Sequence, residues 1–325
     1  MAVFLTLCLT LLALGLPVGD SLAILFKGGL ANKFGLSRTL VNATPLLLAG
    51  LGVIVAWRAG MYSIGGEGQF ICGGIAGALL FAVMPGAPPL LLLAASVVGG
   101  AALAVLVAWL QIRRGVQLVI STILLNFVAL QLLEWVSAGP LRDPGGGVPM
   151  TKRLPDTQML LRWDRQIDLH FGVPLAVTIA ILVFLFLYRT TYGFSLRFVG
   201  QNPVAAEVNR LPVSRIQLGA MALSGALCGL AGGVEYAGMA GQLGASFSQN
   251  WGFLAIPVAI LGGLHPLGVV VSALAFGMLI AGTDQLARTG GAQSSIVAII
   301  QGVSMLLVIA FAELNRRRQM REGAA

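Results

Sequence analysis

Four acids interrupt otherwise apolar stretches, and chemistry could begin with them: Glu67, Glu134, Glu235 and Asp284. A carboxylate at mid-bilayer depth costs about 2.5–3.5 kcal/mol on insertion scales, so it must find partners or line water. Glu67 lies in Ile64, Gly65, Gly66, Glu67, Gly68, Gln69, with three glycines in four positions. Helix propensity is poor there, and a break at membrane depth survives only where it is buried in protein or lines a cavity. Transporters bind or pass solutes at such breaks. Glu67 can tie loose amides of the break or meet the solute, and its chemistry suits both. Ser63 and Gln69 flank it, while Thr122 and Asn126, four residues apart, share one helix face. Groups of that kind contact a solute or glue helices together. Glu134 precedes Trp135 and is expected among lipid head groups, whereas Asp284 and Arg288 have the spacing of a helix-end ion pair. Glu235 follows Gly225, Gly229, Gly232 and Gly233, which favour close helix packing, but its own role has no sequence signal.

Catalytic groupings are missing. The two histidines, His170 and His265, are far apart and neither neighbours a plausible nucleophile. Cys8, Cys72 and Cys228 lie in apolar runs without CxxC or Cys/His spacing, so neither a disulfide framework nor a metal is expected. A phosphate-cradling loop needs G-x-x-x-x-G-K-[ST]. The only lysines are Lys27, Lys33 and Lys152, and none follows a glycine. No cofactor is expected, and any ATP-driven step through that motif belongs to another chain.

The surrounding elements follow from composition. Of 325 residues, 57% are apolar before glycine is counted and 10% are charged, against about 25% charged in soluble chains. Mean hydropathy is +0.91. The chain therefore reads as an all-α polytopic membrane protein. Apolar runs near 3–26, 40–57, 63–84, 88–110, 115–137, 172–188, 216–239, 249–264, 267–286 and 293–313 predict about ten transmembrane helices, with a break near 60–69. The first run includes a faint lipoprotein-like Leu5, Thr6, Leu7, Cys8 but lacks a basic start, so it is expected to remain as a span.

The net charge of +8 is spread over short clusters between apolar runs: Arg113 and Arg114, the stretch from Arg189 to Arg215, and Arg316, Arg317, Arg318 with Arg321. That is the positive-inside pattern rather than a nucleic-acid surface, and it predicts cytoplasmic N- and C-termini. Residues 138–171, with nearly balanced charge, four prolines and a glycine run, predict a structured external loop.

Residues 189–215 form the opposite, cytoplasmic loop and contain GQNPVAAEVNRLP at 200–212. Asn202 suits an N-cap and Pro203 the first helical position, and Pro212 stops extension. A slim helix over 203–210 results, with Ala205 and Ala206 thin enough for a groove and Glu207, Arg210 and Arg197 offering charges. Such a helix docks a partner or caps a membrane-facing turn.

This loop resembles the coupling loop of ABC importer permeases of the branched-chain amino acid, ribose and nucleoside group. Leu196, Arg197, Gly200, Asn202, Pro203, Ala205 and Ala206 stand in register with the nucleoside-branch pattern lRavGeNpxAAxyaGI. Asn209 and Arg210 depart from its Ala-Gly, and because arginine takes a positive φ less cheaply than glycine, a different helix exit is expected. GMYSIGGEGQ at 60–69 is similar to GlfNIGxEGQ, with Ser63 in place of the usual Asn. ISTILLNFVAL at 120–130 resembles iSTIMLNyIA, and AIPVAILGGLHPLG at 255–268 resembles xIaVALLGxxxPxG.

The resemblance implies a single permease domain over 1–325, in the bacterial inner membrane. It implies a second permease subunit, cytoplasmic ABC ATPase subunits and an extracytoplasmic solute-binding protein. Arg197, Gly200, Asn202, Pro203, Ala205, Ala206, Glu207 and Arg210 would couple to the ATPase. Ser63, Glu67, Gln69, Thr122 and Asn126 would line the solute pathway. The nucleoside branch rests on resemblance alone; a simple sugar, a branched-chain amino acid, or an ion-coupled carrier using Glu67 remain open.

Overall fold

The computed structural model describes residues 33–164 and 167–289, with residues 19, 28, 29, 302, 303 and 310 besides. The expected spans 3–26 and 293–313 lie outside the described residues. Among the described residues, seven helices are long and apolar enough to cross a membrane. They are α1 (Lys33–Arg58), α2 (Gly66–Val83), α3 (Pro89–Arg114), α4 (Leu118–Ala138), α5 (Gly172–Arg189), α8 (Val213–Glu235, continued by a π-helical turn to Ala240) and α10 (Pro266–Thr289). Between α5 and α8 run α6 (Thr191–Gln201) and α7 (Pro203–Val208). The last element, α9, is Trp251–Leu261.

Local signals set many of these boundaries. Pro88 and Pro89 open α3, and Gly115 closes it in the left-handed region at φ 67°, its amide donating to Gln111 O. Large apolar side chains of α3 and α4, among them Val98, Leu124 and Phe127, point outward and are more than half exposed. Exposed apolar faces of this kind suit lipid contact.

The expected span at 249–264 is corrected. Only 11 residues of it are helical, about 16 Å at 1.5 Å per residue, which cannot cross a core of about 30 Å. Gln249 (φ 43°) and Asn250 (φ 62°) hold the chain out of helix before Trp251, and Gly262 ends it. α9 is a half-helix.

Two compact units divide the chain. The larger comprises Thr44–Trp163 and His170–Val270. At its centre Gly225 and Gly229 of α8 rest on the backbone of α3 at Gly100 and Ser96, so close that a Cβ on either glycine would collide. Small residues permit this approach where lipid supplies no hydrophobic drive between helices. The long loop is fastened to the segment after α8. Thr151 donates its amide to Leu243 O (2.9 Å) and Leu154 to Gly241 O (2.7 Å), and Leu243 N donates to Thr151 Oγ1 (2.8 Å).

In the smaller unit, the backbone of Thr39 and Ala43 packs on Gly277, and Arg38 meets Asp168 at 3.9 Å. Asp284 has Arg38 and Arg288 as charged neighbours, but the expected Asp284–Arg288 ion pair does not close.

Candidate functional site

Between α1 and α2 the chain leaves the helix at Ala59 and runs irregularly to Gly65. The polar residues expected there are all buried: Ser63, Glu67, Gln69, Thr122 and Asn126 are at most 6% exposed. Asn126 of α4 spans the break, accepting from Gly68 N (2.9 Å) and donating from Nδ2 to Ile64 O (2.9 Å). Thr122 Oγ1 accepts from Ile64 N at 3.3 Å, and Ser63 Oγ accepts from Gly65 N at 3.1 Å. Trp57 Nε1 donates to Ser63 O at 3.1 Å. Gln69 donates its backbone amide to Gly65 O and keeps its side chain beside Gly65. In this way the amides of residues 59–61 and 63–65 find partners within the protein, as buried amides require.

Glu67 has a different task from tying its own break. Its Oε2 accepts the amides of Gly252 (2.8 Å) and Phe253 (3.3 Å), the first turn of α9. Asn250 precedes that helix in a left-handed conformation and makes no side-chain cap, so the carboxylate replaces it, and it also complements the helix dipole. Ser248 lies beside the same carboxylate, while Oε1 is buried without a hydrogen-bond partner. Gly66 and Gly252 meet backbone to backbone. The other end of α9 is held as well, because Arg58 Nε donates to Leu264 O at 3.0 Å. Residues 58 and 67, on either side of the break, thus clasp both ends of the half-helix.

The loop between α5 and α8 touches the same break. Gly200 near the end of α6 sits on the Arg58 carbonyl and the Gly60 amide, leaving no room for a Cβ, and Gly60 itself has φ 77°. Asn202 joins α6 to α7: its amide donates to Phe198 O, and its Oδ1 accepts Ala205 N at 3.0 Å. Pro203 takes the first helical position, and Ala205 is half-buried. Ala206 is fully buried, whereas Val204 and Val208, one turn apart, are 69% and 80% exposed. Glu207 and Arg210 are exposed. Arg197 turns inward instead, its guanidinium 4.6 Å from the centre of the Tyr188 ring. His265 packs at a tilt against that tyrosine and Phe184.

One expectation about this loop is overturned. Arg210 adopts φ 59° just past the helix, and Leu211 N donates to Ala206 O at 3.0 Å. The left-handed exit, usual for glycine, is kept with an arginine in it.

Sequence reasoning missed the amides of Gly252 and Phe253 and the outward valines of α7. The polar run Ser248, Gln249, Asn250 inside an apolar stretch was the available signal for the interrupted helix. Among the described residues, no group of three or more His, Cys, Asp or Glu that could hold a metal ion occurs.

Comparison with known proteins places similarity along nearly the whole chain. Residues 35–309 match the family described as branched-chain amino acid transport system / permease component. The glucose ABC transporter permease protein TsgB13 of Haloferax volcanii is 34% identical over 95% of this chain and 84% of its own. The guanosine ABC transporter permease protein NupP of Bacillus subtilis is 30% identical, covering 92% of this chain and 88% of its own. The nucleoside ABC transporter permease protein NupB of Lactococcus lactis is 26% identical, covering 88% and 82%. No solved structure matches the chain.

Proposed function

The chain belongs to the branched-chain amino acid transport system / permease component family, and from that premise we propose how it moves its solute and which solute that is. It is a permease subunit of an ABC importer, a multi-pass protein of the bacterial inner membrane, and separate chains hydrolyse the ATP. The solute is a nucleoside or a related sugar-containing compound. In support, the relatives are named for glucose, guanosine and nucleosides, neutral molecules rich in hydroxyls.

The seven described spans, the apolar runs 3–26 and 293–313, and a tenth crossing made by residues 241–264, irregular before α9 and helical only within it, keep both termini in the cytoplasm. Residues 189–215 then face the ATPases and 138–171 face outward, toward an extracytoplasmic solute-binding protein. A second permease subunit completes the pathway.

Force enters at α7 through Val204, Val208 and Glu207, and Asn202 passes it rigidly to α6. The observation that carries this reading is the backbone contact of Gly200 with the Arg58–Gly60 turn. Any shift of α6 there moves the break, and the break holds α9 at both ends. Gln69, Thr122 and Asn126 form the wall along which 60–65, carrying Ser63, moves beside the solute path. Displacing a packed segment as one body is how interfaces switch between discrete arrangements.

Reconstituting the permease pair with its ATPases and binding protein in liposomes tests the assignment. Uptake of guanosine or glucose should cease when ATP hydrolysis is blocked. Uptake sustained by an ion gradient alone would overturn it.

A further inference from the structure

Glu235 ends α8, is 8% exposed, and receives no hydrogen bond from any described residue. It lines a cavity of about 260 Å³ with Gln242, Ser246, Gln249, Met150 and Met239. No lining residue among those described carries a positive charge. A buried carboxylate without a partner is costly. Glu67, the other buried glutamate among the described residues of this unit, shows the alternative, spending an oxygen on two amides. Glu235 has nothing comparable and presents its acceptors to the cavity.

The other walls fit the same demand. The Gln242 side chain donates only to the thioether of Met150, at 3.0 Å, a weak acceptor readily exchanged for a better one. Gln249, held at φ 43°, a backbone conformation that costs a non-glycine residue energy, also lines the cavity. Ser246 adds a hydroxyl, and the methionines supply apolar surface for the C–H faces of a ring. A carboxylate, two amides and a hydroxyl without a fixed cation accept and donate to neighbouring hydroxyls and repel anions. Drug-sized pockets run to about 300–1,000 Å³, so this cavity takes a sugar-sized portion rather than a whole nucleoside. It lies past the end of α8, against the long loop through Met150, whereas α7 precedes the start of α8.

We propose that Glu235, with Gln242, Ser246 and Gln249, forms a receiving subsite for the hydroxyls of a neutral sugar or the sugar moiety of a nucleoside, and excludes phosphate esters. The proposal rests on the importer reading for its outward orientation.

The test uses the full complex carrying Ser246→Cys in right-side-out vesicles, alkylated with a membrane-impermeant maleimide. Alkylation of vesicles without that substitution sets the background. Guanosine, glucose and guanosine monophosphate serve as protectants at matched ionic strength, and uptake of each is followed in parallel. The introduced thiol should react from outside. Saturating guanosine or glucose should slow the reaction about tenfold, as the free fraction falls with solute concentration over Kd, while the phosphate ester leaves it unchanged. Adding Glu235→Ala should remove protection and Glu235→Gln should keep part of it. No reaction from outside, no protection by either neutral solute, protection by the phosphate ester, or protection surviving Glu235→Ala would each overturn the subsite. Uptake independent of ATP with protection intact would overturn the importer reading and leave the subsite standing.

Discussion

The carboxylate of Glu67 accepts the amide of Gly252 at 2.8 Å, joining residues 185 positions apart in sequence. One side chain at the edge of a glycine-rich break therefore serves as the N-cap of a half-helix whose own flanking asparagine makes no cap.

Removing that carboxylate should destabilise the protein before it alters any solute contact. Glu67→Ala orphans the Gly252 and Phe253 amides, at about 1–3 kcal/mol for each buried group, and Glu67→Gln retains an acceptor. Thermal unfolding of the purified complex should rank wild type highest, the glutamine variant next and the alanine variant lowest. Equal melting of the alanine variant and wild type would remove the capping role.

A single methyl at Gly200 should be felt at the break. Its Cβ would collide with the Arg58 carbonyl, and overpacking of this kind costs about 1–3 kcal/mol. In reconstituted transport, Gly200→Ala should let ATP hydrolysis continue while solute uptake falls. Unchanged uptake per ATP would show that force does not pass through this contact.

The two faces of α7 should separate by substitution. Val204→Asp and Val208→Asp alter exposed side chains and should leave folding intact. If each valine is buried by the ATPase, losing about 1.5–3 kcal/mol of apolar burial weakens assembly by about ten- to hundredfold. Ala206→Trp should instead destabilise the permease itself, because Ala206 is fully buried. Pull-down of the ATPase alongside melting curves distinguishes the two effects.

Arg210→Gly should stabilise the loop. An L-residue in the left-handed region costs about 1–2 kcal/mol relative to its preferred backbone, and glycine relieves that strain. Unfolding followed in detergent should shift upward for the glycine variant. A downward shift would mean the Arg210 side chain contributes more than its backbone costs.

The membrane class, the spans that coincide with described helices, and the Asn202–Pro203 start of α7 were legible in the residues themselves. Hydropathy, proline geometry and capping chemistry act over a few neighbouring positions. The break expected near 60–69 is instead a connection over 59–65 between two helices, and Gly66, Glu67, Gly68 and Gln69 form the first turn of α2 despite their low helix propensity. The tertiary structure decided what the break holds. The donors facing Glu67 are backbone amides, which carry no residue-type signal and become free only where another helix begins. Nor could six residues of α7 define a buried face by periodicity, so packing alone turned Ala206 inward and both valines outward. Glu235 reads as one more acid near the end of an apolar run, and only the folding of 236–249 beside Met150 gives it a cavity instead of a partner.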